Sequence, residues 1–305
     1  LVWTFYTVPG PGEFGHDSWP SDSTAWQTGG GTVWHTPAVD PDLGLIYFST
    51  GNPGPDYNGA IRAGDNLFTA SIVAIDAYSG EYRWHFQQVH HDIWDYDAPN
   101  PVVLFDLEYD GVSRKGLAQA GKTGWVYILD RVTGEPLVGI EERAVPQEPR
   151  QATAATQPFP VGDPFVTQTL DIPPEGFDLT NQGKIFTPFW DEPILLKRGE
   201  ANWPPSTVDP AKGYMYVCAG ERQAAYSTQT DTDLASSGDR YTGGSMRFAP
   251  VPTTGVVAAV NLRDNKVVWS QRWSSRCYSG LVASAGGLVF AGRNDGRFTA
   301  IDSEN

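Results

Sequence analysis

The sequence predicts an all-β fold, and within that class a β-propeller. Its 305 residues include 33 Gly, 24 Pro and 11 Trp, while only 19% are charged. Many turn formers and aromatics with few long charged side chains are typical of proteins built from sheets. Two hairpin motifs recur along the chain, and no segment keeps the apolar period of a helix, so helices should be few and short.

The first recurring motif is an apolar strand, an Asp-x-x-Ser/Thr-Gly turn and a second strand that ends in Trp. Copies occupy residues 73–84, 127–138 and 258–269. Val138 stands where the other copies have Trp84 and Trp269, and we interpret these two tryptophans as residues that dock one blade on the next. Residues 300–302 begin a fourth copy, and residues 1–3 look like the end of an earlier one.

The second motif is a strand, an Asp-Pro-x-x-Gly turn and another strand. It occupies residues 38–47 and 207–216, and residues 285–299 hold a variant of it. Proline sets φ at the second turn position and glycine takes a positive φ at the end of the turn, so both motifs predict hairpins.

Alternating hairpins of two kinds build four-stranded blades, and blades in series build a β-propeller. A β-sandwich is the competing all-β architecture, but a sandwich has no need of a recurring turn with a recurring Trp. We expect about four blades, which end near residues 84, 138 and 270, with the last running off the end of the chain. Residues 141–200 are rich in Pro, Gln, Thr and Ala and predict a long insertion or lid.

Blades that begin and end inside a motif do not close a ring, whereas a propeller closes on itself to hide its sheet edges. We therefore interpret residues 1–305 as one partial propeller domain, roughly half of a ring, and as a piece of a longer protein. On that interpretation, missing targeting signals say nothing about location.

Net charge and cysteine content limit the partners. The charge of -15 argues against nucleic acid or an anionic membrane, because there is no basic surface to neutralise phosphates. No apolar run is long enough to span a bilayer, so membrane contact is expected only through parts outside this chain. Cys218 and Cys277 are compatible with a disulfide across neighbouring strands and with two free thiols, and they do not make a zinc site.

The densest group of titratable residues lies at 88–104, where three aspartates, two histidines and two aromatics crowd one short loop. Carboxylates crowded this way raise one another's pKa or share a cation, and either outcome is useful to an enzyme. The alternative is a polar turn in an acidic chain. A metal site made of His90, His91 and Asp92 is disfavoured, because adjacent residues of a strand face opposite ways.

At this point the chain resembles the quinoprotein dehydrogenases, eight-bladed propellers that hold pyrroloquinoline quinone (PQQ). The resemblance covers nearly the whole chain. Its carriers are the Trp-ended repeats and the segments 29–34, 49–53, 64–67, 90–97 and 122–124. The doubled His, the Lys122 segment and residues 140–147 are most similar to the glucose-dehydrogenase-type branch, since the methanol-dehydrogenase branch usually has Arg in place of Lys122.

The resemblance implies a set of PQQ-binding residues. Trp34 follows three glycines and would be the floor on which the quinone stacks, and Thr32 would hydrogen-bond the quinone edge from the same loop. Lys122 would bond the ortho-quinone oxygens and stabilise the reduced, anionic form. Asn202 would come next around the mouth of the funnel. The alternatives are a core tryptophan, a strand threonine, a solvated turn lysine and a plain loop, respectively.

The resemblance also implies a divalent cation, with Asn52, Asp95 and Asp97 as metal ligands. Calcium takes neutral and anionic oxygens together and would polarise the quinone carbonyl as a Lewis acid. Magnesium and a lanthanide are the alternatives. In the alcohol-dehydrogenase branches an Asp at position 97 goes with lanthanide use, and in the glucose-type branch it does not. A glutamate that completes the family's metal site would precede residue 1.

The function that the resemblance implies is oxidation of an alcohol or sugar hydroxyl by hydride transfer to PQQ. Asp95 would be the general base that takes the hydroxyl proton. Electrons would pass to ubiquinone or cytochrome c, and the protein would be periplasmic or on the outer face of the cytoplasmic membrane. This piece alone is expected to be weakly active or inactive.

Two other functions compete with this one. PQQ-like propellers also serve as non-catalytic scaffolds for protein assembly, which keep the repeats and lose the ligand set. The presence of Trp34, Asn52, Asp95 and Lys122 disfavours that reading. A propeller hydrolase is disfavoured because the chain has no Gly-x-Ser-x-Gly turn.

Overall fold

Nearly all regular structure in the described part of the chain is β-sheet. The computed structural model describes residues 1–170, 173–230 and 241–305. Within them the strands form four sheets and one separate two-stranded hairpin. The helices of this part of the chain are single 3-10 turns: His16–Ser18, Ala25–Gln27, Pro149–Gln151 and Thr180–Gly183. None of them is long and apolar enough to cross a bilayer. The prediction of an all-β chain with few, short helices is confirmed.

The first sheet is a four-stranded antiparallel meander. Its strands pair in chain order: β1 (Ala38–Asp40), β2 (Leu45–Ser49), β3 (Ser71–Asp76) and β4 (Tyr82–Gln87). Its first turn is the Asp-Pro-x-x-Gly motif and its last turn is the Asp-x-x-Ser-Gly motif. This is the arrangement of alternating hairpins that the repeats predict for a blade.

The second sheet has three strands and is followed by a separate hairpin. The strands are β5 (Val103–Tyr109), β6 (Val112–Ala120) and β7 (Val126–Asp130), and the hairpin consists of β8 (Ile140–Ala144) and β9 (Thr156–Pro160). An isolated bridge between Leu129 and Pro136 continues the second sheet by one residue pair.

The third sheet is the largest and is built around one long strand. Its members are β10 (Ile194–Glu200), β11 (Thr207–Asp209), β12 (Tyr214–Thr228), β13 (Gly244–Phe248), β14 (Thr254–Asn261) and β15 (Lys266–Trp273). The pairing register places β10 and β11 along one side of β12, with β13 and β14 along the other. Residues 141–200, expected as an insertion, therefore contain the β8–β9 hairpin and end in a strand of this sheet.

The fourth sheet consists of β16 (Leu281–Ala283), β17 (Leu288–Gly292) and β18 (Phe298–Asp302). A disulfide joins Cys218 in β12 to Cys277, with the two Cα atoms 5.4 Å apart. It links the third sheet to the segment that leads into the fourth. Of the two possibilities left open by the sequence, the structure has the paired one.

The recurring turns close through side-chain to backbone hydrogen bonds. Asp76 Oδ1 accepts from the amides of Tyr78 and Ser79, and Asp130 Oδ1 accepts from the amide of Val132. An aspartate at the start of a turn does this because its short side chain reaches the amides two and three residues ahead. The same contacts recur at Asp40 and Asp209, so the predicted hairpins are confirmed.

Tryptophan indoles join successive sheets by one repeated contact. Trp84 Nε1 donates to the carbonyl of Arg131 at 3.2 Å, and Trp269 Nε1 donates to the carbonyl of Ser303 at 3.0 Å. Each acceptor directly follows the aspartate that starts the next turn. The second sheet, with Val138 in place of Trp, uses a different donor, since the Tyr109 hydroxyl donates to the carbonyl of Leu262 at 2.7 Å. The interpretation of the two tryptophans as docking residues is confirmed.

Apolar clusters fill the spaces between sheets. One buries Tyr47 and Trp84 with Tyr127 and Leu129 of the second sheet. Two further clusters lie between the second and third sheets and between the third and fourth. Burying this apolar surface is the main favourable contribution to folding, and it holds the loops at the sheet ends in place.

Candidate functional site

The acidic loop, residues 88–102, connects β4 of the first sheet to β5 of the second. It is almost wholly buried and is held by contacts to distant parts of the chain. Trp94 Nε1 donates to the carbonyl of Thr187 at 2.8 Å, and Asn100 Nδ2 donates to the carbonyls of Asn202 and Pro204. These long-range hydrogen bonds fix the position of the loop and of the carboxylates that it carries.

Asp95, Asp97 and Lys122 meet directly. Lys122 Nζ lies 3.0 Å from Asp95 Oδ1 and 3.2 Å from the carbonyl oxygen of Asp95, and it also forms an ion pair with Asp97. Lys122 and Asp97 have side chains that are 5% and 3% exposed, whereas the side chain of Asp95 is 21% exposed. Asp95 is therefore the carboxylate of this group that reaches solvent.

Arg198, on β10, is a second cation on Asp95 that sequence reasoning missed. Its Nη2 lies 2.7 Å from Asp95 Oδ2 and 2.7 Å from the carbonyl oxygen of Asp95. Both carboxylate oxygens of Asp95 thus face a positive charge. The available signal was the pair Lys197 and Arg198 directly after an apolar strand-like run, inside a segment interpreted as an insertion.

These contacts push the pKa values of the two carboxylates apart. Burial alone raises the pKa of Asp95, but the charges of Lys122 and Arg198 outweigh burial and hold the pKa below its ordinary value. For Asp97 burial prevails over the attraction of Lys122, and the pKa is raised. Burial would also lower the pKa of Lys122, yet the two carboxylates raise it. At neutral pH the lysine is charged and Asp95 is ionised.

Asp92 and His91 have structural contacts. Asp92 is fully buried, its Oδ1 accepts from the Trp94 amide at 2.8 Å, and burial raises its pKa to about 7. His91 lies between the carbonyls of Gly64 and Gln151, at 2.8 and 2.6 Å. His90, by contrast, contacts Gln87 and Glu142. The two imidazoles therefore face different partners. The reason is not the strand alternation expected from the sequence, because both residues lie in a turn after β4 and His91 has a φ of 46°.

Thr32 and Trp34 lie on a glycine loop that is pinned to residues 51–54. Gly31 donates to the carbonyl of Asn52 at 3.0 Å, and Gly51 donates to the carbonyl of Thr32 at 2.9 Å. A Cβ on Gly30 would lie 2.3 Å from the carbonyl oxygen of Asn52, so the two segments pack this closely only with glycine there. The side chain of Trp34 is left 45% exposed, which gives a large aromatic face free to stack on a ligand.

The side chains of Asn52 and Asn202 make hydrogen bonds to the next residue, and their backbone segments are tied to the acidic loop. Asn52 Nδ2 donates to the carbonyl of Pro53 at 3.1 Å, and Asn202 Oδ1 accepts from the amide of Trp203 at 2.9 Å. The carbonyl of Asn202 accepts from Asn100, which ties it to the acidic loop. The Asn52 loop is tied to the same loop by a hydrogen bond from the amide of Ala98 to the carbonyl of Thr50 at 3.2 Å.

The chemical types of these side chains are suited to binding a quinone. A half-exposed tryptophan suits a flat aromatic ligand, and a buried, charged lysine suits its oxygens. For a hard cation, Asp95, Asp97 and Asn52 offer oxygen ligands of the right type but only three residues, and calcium takes six to eight oxygens. In the described ranges no group of three or more His, Cys, Asp or Glu residues is placed to hold a metal ion. The donor set therefore fits a cation chemically and falls short in number.

The chain belongs to the PQQ family whose model is described as "Glucose/ethanol/alcohol dehydrogenase, beta-propeller domain", which matches residues 1–247. Among curated relatives, quinohemoprotein alcohol dehydrogenase ADH-IIG of Pseudomonas putida is 31% identical over 98% of this chain and 42% of its own length. The lanthanide-dependent methanol dehydrogenase of Methylorubrum extorquens is 30% identical over 94% of this chain and 46% of its own length.

Solved structures agree with this assignment. The quinohemoprotein alcohol dehydrogenase ADHIIG from Pseudomonas putida HK5 superposes with a TM-score of 0.72 at 27% identity, over 99% of this chain and 45% of that one. A europium-containing methanol dehydrogenase gives a TM-score of 0.70 at 27% identity, over 97% of this chain and 48% of that one. The predicted quinoprotein propeller, of which the chain covers roughly half, is confirmed.

The chain spans less than half the length of the relatives it matches. Those relatives are named as alcohol and methanol dehydrogenases. The glucose-type branch and a sugar substrate stay predictions, as do the site residues and the division into about four blades.

Proposed function

We propose that the protein is a PQQ-dependent dehydrogenase that oxidises an alcohol hydroxyl, with Asp95 as the general base. One observation carries the proposal. Asp95 is an ionised carboxylate that reaches solvent and contacts a buried lysine. Its loop is hydrogen-bonded to Thr50, and the adjoining residues 51 and 52 are hydrogen-bonded to the glycine loop that bears the exposed Trp34. A base, a cation and an aromatic face are what hydride removal from an alcohol requires of a protein.

The chain's own residues would bind, orient and accept a proton. Trp34 would stack on the cofactor, with Thr32 and Asn202 at its edges. Lys122 would donate hydrogen bonds to its oxygens, and to do so its ammonium would give up part of its present contacts with Asp95 and Asp97. When bound, PQQ supplies the acceptor for the hydride. Asp95 would take the hydroxyl proton through the part of its carboxylate that is open to solvent.

We further propose that a cation is bound by Asn52, Asp95 and Asp97, with calcium as the leading candidate and magnesium or a lanthanide as alternatives. Carboxylate and amide oxygens are ligands for each of these hard ions. A lanthanide is included because one similar protein is named lanthanide-dependent and another is described as europium-containing. Because these three residues alone do not complete the coordination, further oxygen ligands would have to come from outside this set.

Substrate, acceptor and location follow from the same proposal. A primary or secondary alcohol is favoured over a sugar, because the similar proteins are alcohol dehydrogenases. Cytochrome c is the favoured electron acceptor, with ubiquinone as the alternative, since the similar proteins ADH-IIG and ADH IIB of Pseudomonas putida are named quinohemoproteins. We place the protein in the periplasm or on the outer face of the cytoplasmic membrane.

The test is a titration of the complete protein with PQQ in the presence of calcium, magnesium or lanthanum. Binding is monitored by the quenching of tryptophan fluorescence. We expect saturable quenching that requires a cation. It should be weaker in Trp34→Phe and should depend on Asp95. Asp106→Asn is a control, because Asp106 pairs with Arg131 away from the acidic loop. A dye-coupled assay with alcohols and aldoses then identifies the substrate. A folded protein that binds no PQQ with any of the three cations would contradict the proposal.

A further inference from the structure

The guanidinium of Arg198 binds the acidic loop at several points. Nη1 donates to the carbonyl of Trp94 at 2.8 Å, and Nη2 donates to the carbonyl and to Oδ2 of Asp95, both at 2.7 Å. Nη1 also donates to the Tyr226 hydroxyl at 2.9 Å. Two consecutive carbonyls and one carboxylate are therefore fixed by a single rigid group.

The backbone at this point needs such a group. Asp95 has a φ of 57°, in the left-handed region, which strains the backbone of a residue other than glycine. That conformation turns the Trp94 and Asp95 carbonyls toward the same guanidinium. Arginine suits this task because its planar fork presents several donors in fixed directions, whereas the ammonium of lysine is a single point.

Arg198 is itself held firmly. Its side chain is 2% exposed, and its guanidinium lies 5.6 Å from the centre of the Tyr96 ring. Glu200, two residues along β10, lies 3.8 Å from its Nε and balances its charge. Arg222, directly across the β10–β12 pair, shares that glutamate at 3.6 Å, so the arginine is one member of a buried charge cluster.

The two cations on Asp95 share its carbonyl oxygen but contact different oxygens of its carboxylate. Lys122 divides its ammonium between Asp95 and Asp97 and is the residue expected to turn toward a quinone. Arg198 contacts the other carboxylate oxygen and the backbone of the turn. The hydrogen bonds from Arg198 therefore hold the Asp95 carboxylate in place when Lys122 turns toward a quinone.

We propose that Arg198 is the positioning residue of Asp95: it fixes the left-handed turn at 94–95 and aims the carboxylate, without touching cofactor or substrate. This inference rests on the proposed function. Small displacements of a reacting group are expensive, since about 1 Å can lower a rate about 100-fold. Loss of Arg198 should therefore lower kcat far more than it changes KM or the affinity for PQQ.

The experiment compares Arg198→Gln and Arg198→Lys with Arg222→Gln in the complete protein reconstituted with PQQ. Both Arg198 variants should lose about 100-fold in kcat, with KM and the Kd for PQQ within about threefold of wild type. Arg198→Lys should have a kcat little higher than that of Arg198→Gln, because lysine restores the charge but not the planar set of donors of a guanidinium. Arg222→Gln removes an arginine from the same pair of strands and the same glutamate, and should keep kcat within about threefold of wild type.

A second measurement judges the contact independently of activity. In thermal unfolding of the unloaded protein, Arg198→Gln and Asp95→Asn should each lower Tm, and the double variant should lower it by less than their sum. Additive shifts, or a kcat for Arg198→Gln equal to that of Arg222→Gln, would overturn the inference. A wild type that neither binds PQQ nor oxidises alcohols would instead reject the proposed function, and the inference would then be decided by the coupling in Tm.

Discussion

Trp84 of the first sheet lies against Gly134 of the second, so closely that a Cβ on the glycine would lie 2.7 Å from Cε3 of the indole. Trp3 makes the same approach to Gly80, where a Cβ would lie 2.6 Å from the ring. Gly80 and Gly134, which close these two turns, therefore have two tasks. Each takes the positive φ of its turn, and each leaves room for a tryptophan from an earlier part of the chain.

Gly134→Ala should destabilise the protein more than a positive φ alone explains. Its φ of 80° costs alanine about 1–2 kcal/mol, and displacing the Trp84 ring adds about 1–3 kcal/mol. Gly296→Ala is the matched control, with a φ of 86° and open space around its Cβ. Urea unfolding measures both. Equal losses of free energy in the two variants would show that the Trp84 contact is not limiting.

Lys122→Met should lower stability strongly, because it leaves Asp95 and Asp97 without their shared cation. Removing one partner of a buried ion pair typically costs about 3–5 kcal/mol. Adding Asp97→Asn should recover part of that loss, since the buried carboxylate with the raised pKa is then neutral. Thermal unfolding of the single and double variants checks this, and a double variant no more stable than Lys122→Met would contradict it.

His85 should make the protein less stable in mild acid. Burial, reinforced by repulsion from His90, lowers the pKa of His85 to about 4 from an ordinary 6.5, and its Nδ1 lies 2.8 Å from the Tyr82 hydroxyl. The unfolded chain then binds more protons than the folded one between pH 6.5 and 4. His85 thus contributes stability above pH 6.5 that is lost as the pH falls to about 4.

His85→Phe removes this contribution and keeps an aromatic ring beside Phe68. Denaturant unfolding from pH 7 to 4 should show a shallower fall in the free energy of unfolding for the variant, by at most about 1 kcal/mol per pH unit. The comparison with wild type isolates His85 from other titrating groups. Parallel pH profiles would mean that His85 titrates alike in both states.

Replacing both Cys218 and Cys277 with Ala should destabilise the native state by about 2–4 kcal/mol, because the disulfide closes a loop of 59 residues in the unfolded chain. Unfolding with and without a reductant provides the control. Reductant should destabilise wild type and leave the double variant unchanged. A reductant effect of the same size on both proteins would rule out this disulfide as its cause.

Sequence reasoning succeeded where contacts are local and where a motif is shared with a known family. The turns at Asp76 and Asp130 depend on residues two to four positions away, so their composition predicts their shape. The convergence of Asp95 and Lys122, 27 positions apart, followed only from the resemblance to quinoproteins. Nothing in the local pattern identified Tyr109 as the residue that takes over docking where Val138 replaces tryptophan.

The hairpins, the all-β class and the acidic loop could be predicted from the order of residues alone, because turn chemistry and strand alternation act over a few residues. The three-dimensional packing was needed to show that Arg198 reaches Asp95 across 103 positions and that Cys218 is joined to Cys277. Contacts of that span depend on how whole sheets pair and pack. From the sequence, Arg198 would be interpreted as a solvated surface residue. It becomes part of the site because the third sheet brings β10 beside the acidic loop.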